Sequence, residues 1–271
     1  VSVTGFGARL VEAVAARGNL CAGIDPHPGL LDAWGLDRDP GGLEKFALTA
    51  VDVLAEEVSV VKPQSAFFEA YGPPGVAVLA RVVEHARDRG ALVLLDVKRG
   101  DIGSTMAAYT AAYLGDAAPI RADAITVSPY LGFGSLAPAL GAGEGLFVLA
   151  RTSNPEAGGL QNALLANGKT VAQSIVDEAA RCNAGAASLG DVGVVVGATI
   201  EPGELDLTGL NGPVLAPGFG AQGATVDDLR RLFGADLPGV LPASSRDVLR
   251  HGPDPVALRD AVRRTQASLT G

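Results

Sequence analysis

Cysteine and histidine are nearly missing from this chain. Its 271 residues include two cysteines, Cys21 and Cys182, and three histidines, His27, His85 and His251. The cysteines form neither a disulfide framework nor a metal-ligand spacing. No histidine pair has the close spacing that zinc sites use, so a zinc site is not expected. Basic charge is short as well: 21 Lys and Arg stand against 30 Asp and Glu, a formal net charge of −9. General nucleic-acid binding needs a basic face, and this balance argues against it. An anionic small molecule is not excluded, because a few cations focused in a cleft can override the mean field. No apolar run reaches the ~18 residues that a membrane span needs, and no secretory leader is evident. These absences together lead us to expect a soluble, cytoplasmic protein with neither nucleic acid nor membrane as partner.

What is plentiful is apolar material and glycine, 48% hydrophobic residues and 36 glycines. Short apolar runs recur at residues 20–24, 58–61, 91–97, 124–127, 146–150, 192–196, 214–216 and 240–241. They are unalternated and rich in Val, Leu and Ala, as expected of parallel strands buried on both faces. Between them lie amphipathic segments, clearest at 75–90 and 170–188, and a last one at 255–269 closes the chain. Eight strands alternating with helices in one chain of this length predict an α/β fold, a single (β/α)8 TIM barrel over residues 1–271. A helix over residues 4–17 is expected to close its floor, and residues 26–42 to form an insertion after the first strand. No role can be assigned to residues 32–42 or to the glycine-rich stretch 157–168, a surface loop or a lid beside strand five.

Barrel active sites lie at the carboxyl ends of the strands. The polar residues expected there are Asp25 after strand one, Lys62 after strand two, Asp96 and Lys98 on strand three, and Ser128 after strand four. Strand five ends in Arg151-Thr152-Ser153-Asn154, strand seven in Pro217 to Gly223, and strand eight in Ser244-Ser245-Arg246. Lysine is scarce, four residues against seventeen arginines, yet Lys62 and Lys98 both fall on this rim. Arginine cannot give up its proton, whereas lysine can, and its pKa is tunable. In the segment Asp96-Val-Lys-Arg-Gly-Asp101, a lysine between two acids at a strand end suits proton transfer. Extended geometry would project Asp96 and Lys98 from one face.

Gly218-Phe-Gly-Ala-Gln-Gly223 matches G-x-G-x-x-G. A dinucleotide fingerprint belongs in an opening βαβ unit, and too little chain follows residue 218 to complete one. The same glycines let backbone N–H groups approach a phosphate at the start of a helix near Thr225. Barrel phosphate sites frequently follow strands seven and eight, and Arg246 offers a bidentate cation from the neighbouring loop. A phosphorylated substrate is therefore expected.

On these residues the chain resembles the orotidine 5′-phosphate decarboxylase family, in its longer bacterial subgroup. The resemblance rests on Asp96-x-Lys98-x-x-Asp101-Ile102 followed by Thr105, on Gly23-Ile-Asp-Pro26, on Val60-Val-Lys-Pro-Gln64, and on the loop from Pro217 to Gln222. It implies cofactor-free conversion of orotidine 5′-phosphate to uridine 5′-phosphate, the last step of UMP synthesis. It also implies a homodimer with shared sites, in which Asp101, Ile102 and Thr105 reach the partner's substrate. By the same resemblance Asp25 and Lys62 would bind ribose hydroxyls, Lys62 would pair with Asp96, and Lys98 would protonate C6. Ser153 would contact the pyrimidine, while Pro217, Gln222 and Arg246 would surround the phosphate. The chain departs from the family where Ser245 precedes Arg246, a position that many members fill with glycine.

Two other readings compete. Magnesium-dependent hexulose-6-phosphate synthases and keto-gulonate-6-phosphate decarboxylases share the layout but call for an acidic metal ligand where this chain has Lys62. A non-catalytic phosphate-binding module would not need Lys98. A Schiff-base aldolase is disfavoured, since its amine must become neutral to attack.

Overall fold

The computed structural model describes residues 4–141, 143–220, 223–234 and 239–270. Eight parallel strands close into a barrel in sequence order: β1 (Cys21–Ile24), β2 (Val60–Pro63), β3 (Leu92–Arg99), β4 (Ala124–Val127), β5 (Gly145–Arg151), β6 (Val192–Val196), β7 (Val214–Pro217) and β8 (Val240–Ser244). β8 pairs back onto β1 through Cys21–Ala243 and Ala22–Ser244, so no sheet edge is left open.

The helices in chain order are α1 (Phe6–Arg17) before the barrel, α2 (Pro28–Ala33) and α3 (Pro40–Glu57) after β1, α4 (Ser65–Glu69) and α5 (Gly72–Asp88) after β2, and α6 (Gly103–Tyr113) after β3. Then come α7 (Gly158–Gln161) and α8 (Val171–Cys182) after β5, α9 (Val226–Phe233) after β7, and α10 (Arg246–Leu249) and α11 (Pro255–Thr270) after β8. Two connections depart from the expected alternation. A 3-10 helix, Phe133–Ala139, follows β4, and no helix forms between β6 and β7. Pro202, Gly203, Gly209, Gly212 and Pro213 crowd that second connection and break any helical run. The stretch after β5 contains a 3-10 turn, the one-turn α7 and a bridge from Leu164 to Thr170. Thr225 starts α9 with a capping box to Asp228, as the helix expected after the glycine loop requires.

Each strand sends one side chain into an interior layer made of Cys21, Val60, Leu94, Ala124, Phe147, Val195, Leu215 and Leu241. Phe6 and Leu10 of α1 seal it from below, which is the floor-closing role expected of the first helix. Phe6 meets Phe147 edge to face, with ring centroids 5.9 Å apart, the geometry favoured by the aromatic quadrupole. Only a glycine can sit at 145, because a Cβ there would lie 2.5 Å from the Phe6 ring and 2.7 Å from the Ala124 Cβ. Buried Asp123 fastens the same end, accepting from the Val93 backbone at 3.0 Å and pairing with Arg9 at 2.5 Å and Arg87 at 3.3 Å. The larger core lies between the strands and the outer helices. With the floor packed and the interior filled, substrate can enter only from the carboxyl ends.

Phe6→Ala is expected to destabilise the fold by about 3–5 kcal/mol, since it opens a cavity in a closed layer. Denaturant unfolding measures it, and a loss below ~1 kcal/mol would show that α1 does not close the barrel.

Candidate active site

Above the apolar layer the barrel turns polar within one residue pair. Lys62 on β2 and Asp96 on β3 are each only 7% exposed. The Lys62 Nζ stands 3.5 Å from Asp96 Oδ2 and 3.9 Å from Asp25 Oδ1, at the end of β1. The Lys98 Nζ lies 2.6 Å from the other oxygen of Asp96. Two carboxylates and two ammonium groups thus share one mouth. Burial disfavours the charged form of Lys62, but Asp25 and Asp96 outweigh it and hold the ammonium above the ordinary lysine range. Burial likewise opposes ionised Asp96, and Lys62 and then Lys98 overcome it, leaving the carboxyl below the usual range. Cys21, one layer down, is pushed up to about 12, first by burial, and stays a neutral filler.

Lys98 does not sit as an extended strand predicts. Its φ is +46°, and the pairing of β3 with β4 slips between Leu95 and Arg99. Its ammonium reaches Asp96 across a kink, not by strand alternation. A left-handed lysine costs on the order of 1–3 kcal/mol and persists only when its surroundings fix it. Thr126 of β4 supplies that fixing. Its hydroxyl accepts from the Lys98 N–H at 3.0 Å and donates to Asp96 Oδ1 at 2.7 Å. The same carboxylate oxygen that receives the Lys98 ammonium is therefore tied to the Lys98 backbone. Thr126 was not singled out in the sequence, although it is the one hydroxyl in the buried strand Ala124–Val127.

A cleft of about 140 Å³ adjoins the charged cluster, lined by Asp25, Lys62, Pro217, Gly218, Phe219, Ser245 and Arg246 among others. Two of its residues carry buried oxygens without a hydrogen-bond partner among the described residues, Asp25 Oδ1 and Ser245 Oγ. Such a group costs about 1–3 kcal/mol when left unpaired, and a ligand hydroxyl or phosphate oxygen in the cleft would satisfy it. Arg246 is exposed and has no ion-pair partner among the described residues. A larger hollow of about 600 Å³ lies on the floor, lined by Leu10, Val14, Leu189, Leu241 and Leu269. Its lining is largely apolar, and the cluster of two lysines and two aspartates lies at the opposite end of the barrel.

The structure thus brings together Asp25, Lys62, Asp96 and Lys98, and sets Pro217 and Arg246 beside them. Ser153 is half-buried just past β5 and outside the cleft lining. Asp101 makes no ion pair with Lys98 of its own chain; its carboxylate accepts from the Ile102 N–H at 2.8 Å. Ile102 is 62% exposed, and Thr105 on the first turn of α6 is exposed too. Gln222 falls outside the described residues.

Could the mouth hold a divalent metal? No group of three or more His, Cys, Asp or Glu side chains is arranged for one among the described residues. The donor set itself does not fit: Lys62 already neutralises Asp25 and Asp96, and its ammonium would repel a second cation.

Comparison with known proteins is consistent across sequence and structure. The family model described as "Orotidine 5'-phosphate decarboxylase / HUMPS family" matches residues 18–261. The chain is 59% identical to the orotidine 5′-phosphate decarboxylase of Salinispora tropica, covering 98% of this chain and 99% of that one. It is 56% identical to that of Streptomyces coelicolor, over 96% of this chain and 95% of the relative. A crystal structure from Streptomyces avermitilis, itself assigned only provisionally as an orotidine 5′-phosphate decarboxylase, superposes with a TM-score of 0.96 at 54% identity, covering 100% and 96% of the two chains. The OMP decarboxylase of Leishmania donovani superposes at 0.77 with 29% identity, over 98% of each.

Lys62→Ala is expected to destabilise the protein by about 3–5 kcal/mol at pH 7, because it removes the cation shared by Asp25 and buried Asp96, leaving Asp96 with Lys98 alone and Asp25 with no ion-pair partner among the described residues. Wild-type Asp96, with its lowered pKa, contributes stability that is present above the ordinary carboxylate range and lost as pH falls below it. The raised pKa of Lys62 contributes stability present below the usual lysine range, so it is constant over this window. The difference between wild type and Lys62→Ala should therefore narrow from pH 7 to pH 4 as Asp96 protonates. Denaturant unfolding at three pH values checks it, and a pH-independent difference would contradict the assigned pairing.

Proposed function

The chain belongs to the orotidine 5′-phosphate decarboxylase / HUMPS family, and from its site we propose that it converts orotidine 5′-phosphate to uridine 5′-phosphate and carbon dioxide. This is the last step of UMP synthesis. The observation that carries the reading is the Lys98 ammonium 2.6 Å from Asp96, with Lys62 filling the ground a metal would need. A magnesium-dependent sugar-phosphate enzyme of the same layout would want an acid in place of Lys62.

In the reaction the bond from C6 to the carboxylate carbon breaks, and its electron pair stays on C6 in an sp² orbital outside the ring π system. Resonance gives that carbanion little relief. The Lys98 ammonium stabilises it and then transfers its proton to C6 as carbon dioxide leaves. A full charge pair at ~4 Å and an effective dielectric of 20 is worth about 4 kcal/mol. A hard uncatalysed reaction can require on the order of 20 kcal/mol of barrier lowering. Lys98 therefore supplies only part. The remainder is drawn from binding at the phosphate and ribose, which holds the charged network against the reacting carbon. Two contacts support such preorganisation: Asp96 receives the Lys98 ammonium at 2.6 Å, and Thr126 ties the same carboxylate oxygen to the Lys98 backbone. Asp96 also disfavours a substrate carboxylate placed beside it, an effect we rank below preorganisation.

The remaining roles follow the same reading. Asp25 and Lys62 bind ribose hydroxyls, Ser153 meets the pyrimidine, and Pro217, Gln222 and Arg246 surround the phosphate. Asp101, Ile102 and Thr105 act in trans, in a cytoplasmic homodimer in which each barrel completes its partner's site. The exposure of Ile102 and Thr105 supports this, as does an Asp101 carboxylate that makes no ion pair with its own Lys98.

Metal-free protein with chelator is expected to turn orotidine 5′-phosphate over rapidly, followed by ultraviolet absorbance. Lys98→Ala should abolish turnover while retaining affinity for uridine 5′-phosphate. Activity only with added magnesium, or full activity in the variant, would defeat the reading. For the trans arrangement, mixing inactive Asp101→Ala and Lys98→Ala proteins after reversible dissociation should restore roughly a quarter of wild-type activity. That figure counts one intact site in each hybrid dimer, with half of the dimers hybrid. No recovery from a verified hybrid would place Asp101 in its own chain's site.

A further inference from the structure

The only tryptophan of the chain, Trp34, has no part in the chemistry above, yet it grips the element that carries Arg246. It follows α2, within the insertion of residues 26–42, and is 6% exposed. Its ring packs on Phe46 of α3 with centroids 4.2 Å apart. Its Nε1–H donates to the Leu249 carbonyl at 2.9 Å, a bond between residues 215 positions apart. Leu249 is the last residue of α10, and Arg246 is the first. Just beyond, Gly252 lies flush on the indole, where a Cβ would come within 1.9 Å of Cζ2. The fit of ring to backbone therefore admits no side chain at 252.

A helix of four residues does not hold its own direction. One turn is marginal without tertiary packing, and its last carbonyls have no partner within the helix. What sets the direction of α10 is the grip on its two ends. Its start continues from β8 through Ser245, and its apolar residues Val248 and Leu249 are buried. At its end the Leu249 carbonyl accepts from the Gly252 N–H at 3.1 Å, within the local turn, and from Trp34. The indole is thus a long-range hydrogen bond on α10 from the opposite end of the sequence. Arg246, at the other end of the turn, lines the cleft.

We propose that Trp34 is a positioning residue for phosphate binding: by bracing α10 from the insertion after β1, it fixes where the Arg246 guanidinium stands. The proposal rests on Arg246 as the phosphate ligand. It gives the insertion a function, since a barrel with a direct β1–α3 connection would leave the end of α10 without the indole hydrogen bond.

The test is calorimetric binding of uridine 5′-phosphate and of uridine to wild type, Trp34→Phe, Arg246→Ala and the double variant, with steady-state kinetics alongside. Phenylalanine keeps a ring against Phe46 but loses the N–H. Trp34→Phe is expected to weaken uridine 5′-phosphate roughly three- to tenfold, the range for one lost hydrogen bond, and to leave uridine unchanged. KM should rise with kcat retained, and the substitution should cost nothing further when added to Arg246→Ala. Equal weakening of uridine and its phosphate, or full additivity with Arg246→Ala, would overturn the proposal and leave a merely structural tryptophan. If Arg246→Ala itself left uridine 5′-phosphate binding unchanged, the phosphate assignment beneath the proposal would fall first. A second measurement needs no variant at the indole. Because Trp34 is the single tryptophan, wild-type emission should shift with saturating uridine 5′-phosphate, not with uridine, and the shift should vanish in Arg246→Ala. Emission unmoved by bound uridine 5′-phosphate would overturn the coupling.

Discussion

The ammonium of Lys62, held between Asp25 and Asp96, is the interaction on which the rest of this molecule turns. Removing two carboxylates from water at the top of an apolar barrel carries a penalty of several kcal/mol per ion. It is tolerable only because a cation stands 3.5 and 3.9 Å away. Once Lys62 satisfies one oxygen of Asp96, the other is free to receive Lys98. The same placement decides what chemistry the mouth can host, since a site neutralised by its own lysine has no call for a divalent ion.

Around that pair the structure trades regularity for position. β3 cannot run straight through Lys98 and still bring its ammonium onto Asp96, so the strand slips against β4 and the lysine takes a left-handed backbone. Thr126 holds the strained segment with the same hydroxyl that braces the carboxylate. Strain, hydrogen bond and ion pair are therefore one unit. A charge fixed in advance avoids reorganisation during a reaction, and this unit is how the fold holds the Lys98 ammonium.

One barrel presents only part of what the family resemblance implies. Asp25, Lys62, Asp96 and Lys98 converge within a chain, whereas Ile102 and Thr105 are exposed on the turn into α6 and Asp101 makes no ion pair with Lys98 of its own chain. The cleft beside Arg246 holds oxygens on Asp25 and Ser245 without a hydrogen-bond partner among the described residues, places where a ligand oxygen could pair. Binding energy collected there, away from the reacting carbon, is what a single ammonium cannot supply.

Much of this was legible in the sequence. Buried parallel strands need unbroken apolar runs, so eight such runs placed the barrel strands to within a residue or two at most ends, and lysine scarcity marked Lys62 and Lys98. The convergence of Asp25, Lys62, Asp96 and Lys98 followed, because all four were expected at the carboxyl ends of the strands. Other features depended on contacts between residues far apart in the chain. Thr126 looks like any β-branched strand residue until Asp96 and Lys98 stand beside it, and no local pattern announces a lysine with positive φ. The helix-free β6–β7 connection was overlooked although its glycines and prolines were in view. Residues 32–42 carried no readable role, since Trp34 acts on a carbonyl 215 positions away. The sequence by itself determined the strands, the barrel and the identity of the charged residues, because periodicity and composition act locally. Only the tertiary structure decided which oxygen each ammonium meets, because closing the barrel is what brings β1, β2, β3 and β4 to one mouth.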